Sequence, residues 1–128
     1  MIQEAYVSFE TAKLLKEKGF DENTLMVYMS YGDLCKCNRY DSIRNSNYND
    51  ITKNYFECTA PTHQMAMKWL REVHNIDICV FPYQADYISY SYKVKIYKNK
   101  EIYLTITDSK TYEDAVEEAL KYCLEILI

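Results

Sequence analysis

Glycine is nearly absent from this chain, Gly19 and Gly32 being the only two in 128 residues. A loop that cradles phosphate needs several glycines close together so that backbone N–H groups can reach the ligand, which excludes Walker-type and dinucleotide loops. Long apolar runs are missing as well. No stretch approaches the ~18 residues of a membrane-spanning helix, and Met1-Ile2-Gln3-Glu4-Ala5 lacks the basic start and apolar core of a signal peptide. Positive charge is in deficit: 15 lysines and arginines face 19 aspartates and glutamates, a formal net charge of −4. That balance disfavours nonspecific attraction to a polyanion and leaves a local basic patch as the route to nucleic acid. The expectation from these absences is a cytoplasmic chain without membrane association.

Cysteine is not scarce, but its five positions, 35, 37, 58, 79 and 123, form an odd set. Cys79 and Cys123 sit in apolar runs, where a thiol serves as a small hydrophobe, and reduced thiols are expected throughout. With 48% hydrophobic residues the chain has material for one core. A domain of this length buries roughly two-thirds of its unfolded surface, so one domain over 1–128 is expected.

Local patterning predicts three helices. Ser8 caps the first, which runs to about Lys18 with Phe9, Ala12 and Leu15 on one side, and Gly19-Phe20 supplies a Schellman ending. The second lies within Ala60–Asn75, where Pro61 suits a first turn, Thr59 or Thr62 can cap, and Met65, Ala66, Trp69, Leu70 and Val73 recur at helical spacing. The third starts at Thr111 and carries the stripe Tyr112, Ala115, Val116, Ala119, Leu120, Cys123, Leu127, with Glu113, Asp114, Glu117 and Glu118 complementing its positive end.

Strands are expected over 25–31 and 34–37, joined by Gly32-Asp33, and over Ile76 to Tyr83. From Tyr87 to Tyr97 alternation is strict: Ile88, Tyr90, Tyr92, Val94 and Ile96 point one way, Ser89, Ser91, Lys93 and Lys95 the other. After the turn Lys98-Asn99-Lys100, Ile102, Leu104 and Ile106 give the matching apolar face of a partner strand. Residues 38 to 57 show no sustained period and read as a long irregular loop. The predicted fold is α+β, a single two-layer domain with one antiparallel sheet and three helices in the order α-β-β-α-β-β-β-α.

Three segments carry a resemblance: Tyr6 to Glu22, Ala60-Pro61-Thr62 through Asn75 (with the run Gln64-Met65-Ala66-Met67-Lys68-Trp69-Leu70-Arg71-Glu72-Val73-His74), and Tyr112-Glu113-Asp114-Ala115 through Leu127. Together they resemble a family of small proteins of gut bacteria and their phages and prophages for which no activity, cofactor or catalytic residue is established. The likeness implies a phage-type accessory setting and assigns no role to any position. From Pro61 onward the order α-β-β-β-α is similar to that of double-stranded-RNA-binding domains, but those place lysines at the start of the last helix, where this chain has acids that repel phosphate. The ending Thr111-Tyr112-Glu113-Asp114-Ala115 is also similar to antitoxin domains of the HicB type. Both of these likenesses concern shape only.

Cys35, Cys37, Cys58 and His63 are four soft groups, yet Cys35 and Cys37 are one residue apart rather than at the spacing of a zinc knuckle, so no metal is expected. Cys58 with His63 or His74 is the thiol–imidazole combination that nucleophilic catalysis would need, and no local signature accompanies it. Asp77 with Asp86, and Glu117 with Glu118, read as solvated surface charges. Trp69 reads as core. Two recognition surfaces stand out: Tyr40, Tyr48 and Tyr55 in the 38–57 loop, and the strand face of Lys93, Lys95, Tyr97 and Tyr103, where charge accompanies rings on which bases can stack. The expectation is a non-enzymatic, phage-type accessory module contacting a protein partner through the loop or an acidic helix. Nucleic-acid binding through Lys93 and Lys95 is the alternative, a small thiol enzyme the third reading, and no cofactor is expected.

Overall fold

The computed structural model describes residues 1–37, 42–47, 56–84, 86 and 90–128. They form two compact units, Met1–Thr62 and His63–Ile128.

In the first unit the Ser8 hydroxyl accepts from the Thr11 N–H at 3.2 Å and starts helix α1 (Phe9–Glu17). Gly19, at φ 96°, ends it: the Phe20 N–H donates to the Leu15 carbonyl and the Gly19 N–H to that of Lys16, the paired bonds of a Schellman motif. Phe20, Leu15 and Ala12 are buried, while Phe9 tilts against Tyr28 with ring centroids 5.3 Å apart. Strands β1 (Met26–Met29) and β2 (Leu34–Lys36) form the expected hairpin. Gly32, at φ 92°, turns it where an added Cβ would lie 3.4 Å from the Phe9 ring.

The 38–57 stretch is not wholly loop. It ends in a third strand, β3 (Phe56–Thr59), which pairs antiparallel with β1 and gives the sheet order β2-β1-β3. Four residues are too few to show a period, so only the long-range pairing reveals them. Within 42–47, Ile43 is buried with Val27 and Phe56 and exchanges backbone bonds with Thr24, both 2.8 Å. Asn45 is buried too. Its Nδ2 donates to the Phe20 carbonyl at 2.7 Å and its Oδ1 accepts from the Thr59 N–H at 2.9 Å, joining the end of α1 to the outer side of β3.

In the second unit helix α2 (His63–His74) begins two residues after Pro61, so the proline precedes the helix rather than occupying its first turn. The Pro61 carbonyl instead accepts from the Val7 N–H, and Thr59 belongs to β3 rather than to a cap. His63, Ala66, Met67, Trp69 and Leu70 are buried, whereas Met65 and Val73 face outward. Strands β4 (Ile76–Gln84), β5 (Tyr90–Lys98) and β6 (Glu101–Ser109) make a second antiparallel sheet in that order. Pro82 lies within β4, which an edge strand tolerates. Thr111 caps helix α3 (Tyr112–Tyr122), its Oγ1 accepting from the Asp114 N–H at 3.1 Å. A wider turn, Cys123–Leu127, then keeps Cys123, Leu124 and Leu127 buried.

The α+β class, the three helices and the antiparallel pairing thus follow the sequence reading among the described residues. The expected single sheet is corrected, among the described residues, to two of three strands each, because β3 returns to β1 instead of extending the later hairpins. With β3 the order among the described residues becomes α-β-β-β-α-β-β-β-α.

Candidate functional site

The two faces of the β4-β5-β6 sheet differ in chemistry, and strand register decides which residue lies on which. Opposite partners in an antiparallel pair share a face. Ile78 with Ile96 and Val80 with Val94 define the inner face, where Val94 and Ile96 are buried and Tyr92 meets Tyr112 of α3 edge-on at 5.9 Å. Cys79 with Lys95, Phe81 with Lys93, Tyr83 with Ser91 and Asp77 with Tyr97 define the face turned away from α3. All eight side chains there are half-buried or exposed.

The sequence-predicted pair Lys93 and Lys95 is therefore brought together with aromatic rings. Each lysine leans diagonally past its direct partner onto β4: the Lys93 Nζ sits 3.6 Å from the centre of the Tyr83 ring and the Lys95 Nζ 5.6 Å from that of Phe81. An ammonium over a ring face is held by the ring quadrupole. Sequence alone does not single out Phe81 and Tyr83, since nothing local marks which face of β4 looks outward; the alternation in β5 is the nearest signal. Cys79, expected to serve as a small hydrophobe, is exposed on this face opposite Lys95. On β6 the alternation breaks, because a register shift sets Ile102 opposite Tyr97 after Leu104 has paired with Ile96. Ile102 is thereby 64% exposed instead of lining the inner face, and Tyr103 beside it is exposed as well.

The remaining candidates are placed elsewhere. Cys35 lies in β2 opposite Val27 and, with Cys37, packs against the Val27, Ile43 and Phe56 cluster. Cys58 is buried in β3, where burial pushes its thiol up to about 12 against the opposing pull of Lys16. Such a thiol stays protonated at neutral pH and is a poor nucleophile. His63 and Glu117 bind one another, Nε2 to Oε1 at 2.9 Å, and the Ser109 hydroxyl donates to Glu118 Oε2 at 2.8 Å. Glu117 and Glu118 are therefore bonded at the border of α3's buried stripe, not merely solvated. Trp69 is 6% exposed and meets His74 edge-on at 4.8 Å, as a core residue does. Among the described residues no group of three or more His, Cys, Asp or Glu could hold a metal ion, and no helix is long and apolar enough to cross a membrane. Tyr40, Tyr48 and Tyr55 lie outside the described residues.

Comparison with protein-family models, with curated proteins and with solved structures finds no match to this chain.

Proposed function

We propose that this chain is a non-enzymatic binding module of accessory type and that its binding surface is the face of the β4-β5-β6 sheet turned away from α3. One observation carries the reading: two lysines lie over two aromatic rings on a sheet face whose side chains remain accessible. Rings give rigid contact area at low entropic cost, and lysines give charge that a partner can meet.

Cys79 supplies the test, because it is exposed in the middle of this face while Cys58 and Cys123 are buried. With Cys35 and Cys37 changed to serine, Cys79 can carry a maleimide photocrosslinker into a cell extract. The expected result is a discrete covalent adduct that disappears in the Lys93→Glu/Lys95→Glu double variant. An adduct pattern indifferent to those lysines would overturn the proposal.

A further inference from the structure

We infer that the ligand of this face is a single-stranded nucleic acid, its bases stacking on Phe81 and Tyr83 and its phosphates meeting Lys93 and Lys95. The inference rests on the binding-module reading and names the partner of that same surface.

The composition of the face separates nucleic acid from protein. Lysine is depleted at the centre of protein–protein interfaces, where its strongly hydrated charge would have to be stripped of water. Here two lysines occupy consecutive outward positions in β5, the central strand. Rings interleaved with cations are what an unpaired strand requires, since every base has a π-face and every linkage an anion. In the free protein the ammoniums rest on the rings that the bases would use. On binding, each exchanges an exposed ring contact for a phosphate, and the uncovered ring takes a base, so one event supplies both halves of the contact.

Geometry separates single strands from duplexes. Phe81 and Tyr83 are two residues apart on one strand, about 6.6–6.8 Å, whereas bases in a duplex follow one another at about 3.4 Å. Each ring therefore serves a base of an unstacked chain. Charge follows the same division: Glu113, Asp114, Glu117 and Glu118 belong to α3, against the opposite face, and Asp77 sits on the open face at the end far from Tyr83. The net charge of −4 is thus compatible with a locally cationic surface.

The experiment is fluorescence anisotropy of labelled dT and U 20-mers, with a 20-base-pair duplex as control, titrated with the full chain at several salt concentrations. Single strands should bind in preference to duplex, with log K falling against log salt at a slope of about −1.4 for two neutralised phosphates. Tyr83→Ala should weaken binding roughly tenfold through lost stacking. Lys93→Glu/Lys95→Glu should abolish it, Lys93→Arg/Lys95→Arg should keep it, and Asp77→Asn should tighten it, with circular dichroism confirming that each variant is folded. Equal affinity for duplex, or indifference to Lys93 and Lys95, would overturn the inference. So would the absence of oligonucleotide binding, and a lysine-dependent, protease-sensitive, nuclease-resistant Cys79 adduct seen beside it would leave the binding module standing with a protein as its partner.

Discussion

Asn45 shows how a single side chain can hold a segment that looks like loop. Its amide uses one donor and one acceptor to satisfy two backbone groups that belong to different elements, the Phe20 carbonyl after α1 and the Thr59 N–H on the side of β3 away from β1. Removing a buried partner leaves the other group desolvated and unpaired, a cost of about 1–3 kcal/mol for each. Asn45→Ala should therefore lower stability by roughly 2–6 kcal/mol in a urea denaturation curve. Asn45→Asp should also be damaging, because a carboxylate can accept from Thr59 but cannot donate to Phe20. A midpoint unchanged in both variants would show that the bridge is not formed. None of this was legible in the sequence, where Asn45 is one asparagine among several and its partners stand 25 and 14 residues away. Ser8 and Thr111 were legible for the opposite reason: a cap acts on an N–H three residues on, so residue type and local spacing suffice.

Elements were readable where their signal was longer than one turn or one alternation. The nine residues of β5 show their two faces plainly, and the buried stripe of α3 runs as predicted through Ala115, Val116, Ala119, Leu120 and Cys123. The four residues of β3 do not, and no periodicity predicts the register shift that turns Ile102 outward. The β5–β6 hairpin carries a second local feature. Its two-residue turn sets Asn99 at φ 53° and Lys100 at φ 68°, the all-positive pattern that favours Asn-Gly. Asn99 suits its place, and it is tied to the end of α2: its N–H donates to the Asn75 carbonyl at 3.0 Å, and its Oδ1 accepts from Asn75 Nδ2 at 3.1 Å. Lysine gains nothing comparable from the left-handed region, where a Cβ crowds the backbone. Lys100→Gly should stabilise the protein by about 0.5–1 kcal/mol after allowing for the greater freedom of glycine in the unfolded chain. Equilibrium denaturation measures it, and a loss of stability would contradict the turn as described.

At the scale of the whole molecule, both units bury a cysteine, Cys58 in β3 and Cys123 after α3, and burial pushes each thiol from an ordinary 9.0 up to about 12. The candidate face illustrates how far such global placement escapes the sequence: Lys93 and Lys95 could be assigned to one side of β5, but the rings beneath them depend on which edge of β4 meets β5 and in what register. The thiols give that global folding a pH signature. Below about pH 9 the folded and unfolded chains both keep these protons, so the contribution of the buried thiols is fully present. Between 9.0 and about 12 only the unfolded chain releases them, which favours unfolding as pH rises, until the folded thiols ionise as well. Stability should accordingly fall on the alkaline side, in both units. Every other side chain is common to parent and variants, so the comparison isolates the thiols. The urea midpoint measured at pH 8 and pH 10.5 should drop more steeply for the parent than for Cys58→Ala, and more steeply for either single variant than for Cys58→Ala/Cys123→Ala. Alanine lowers the starting stability by opening a small void, and for that reason the slope with pH, not the midpoint itself, is the readout. Parallel slopes across the series would mean that both thiols ionise as readily in the folded chain as in the unfolded one, against their burial.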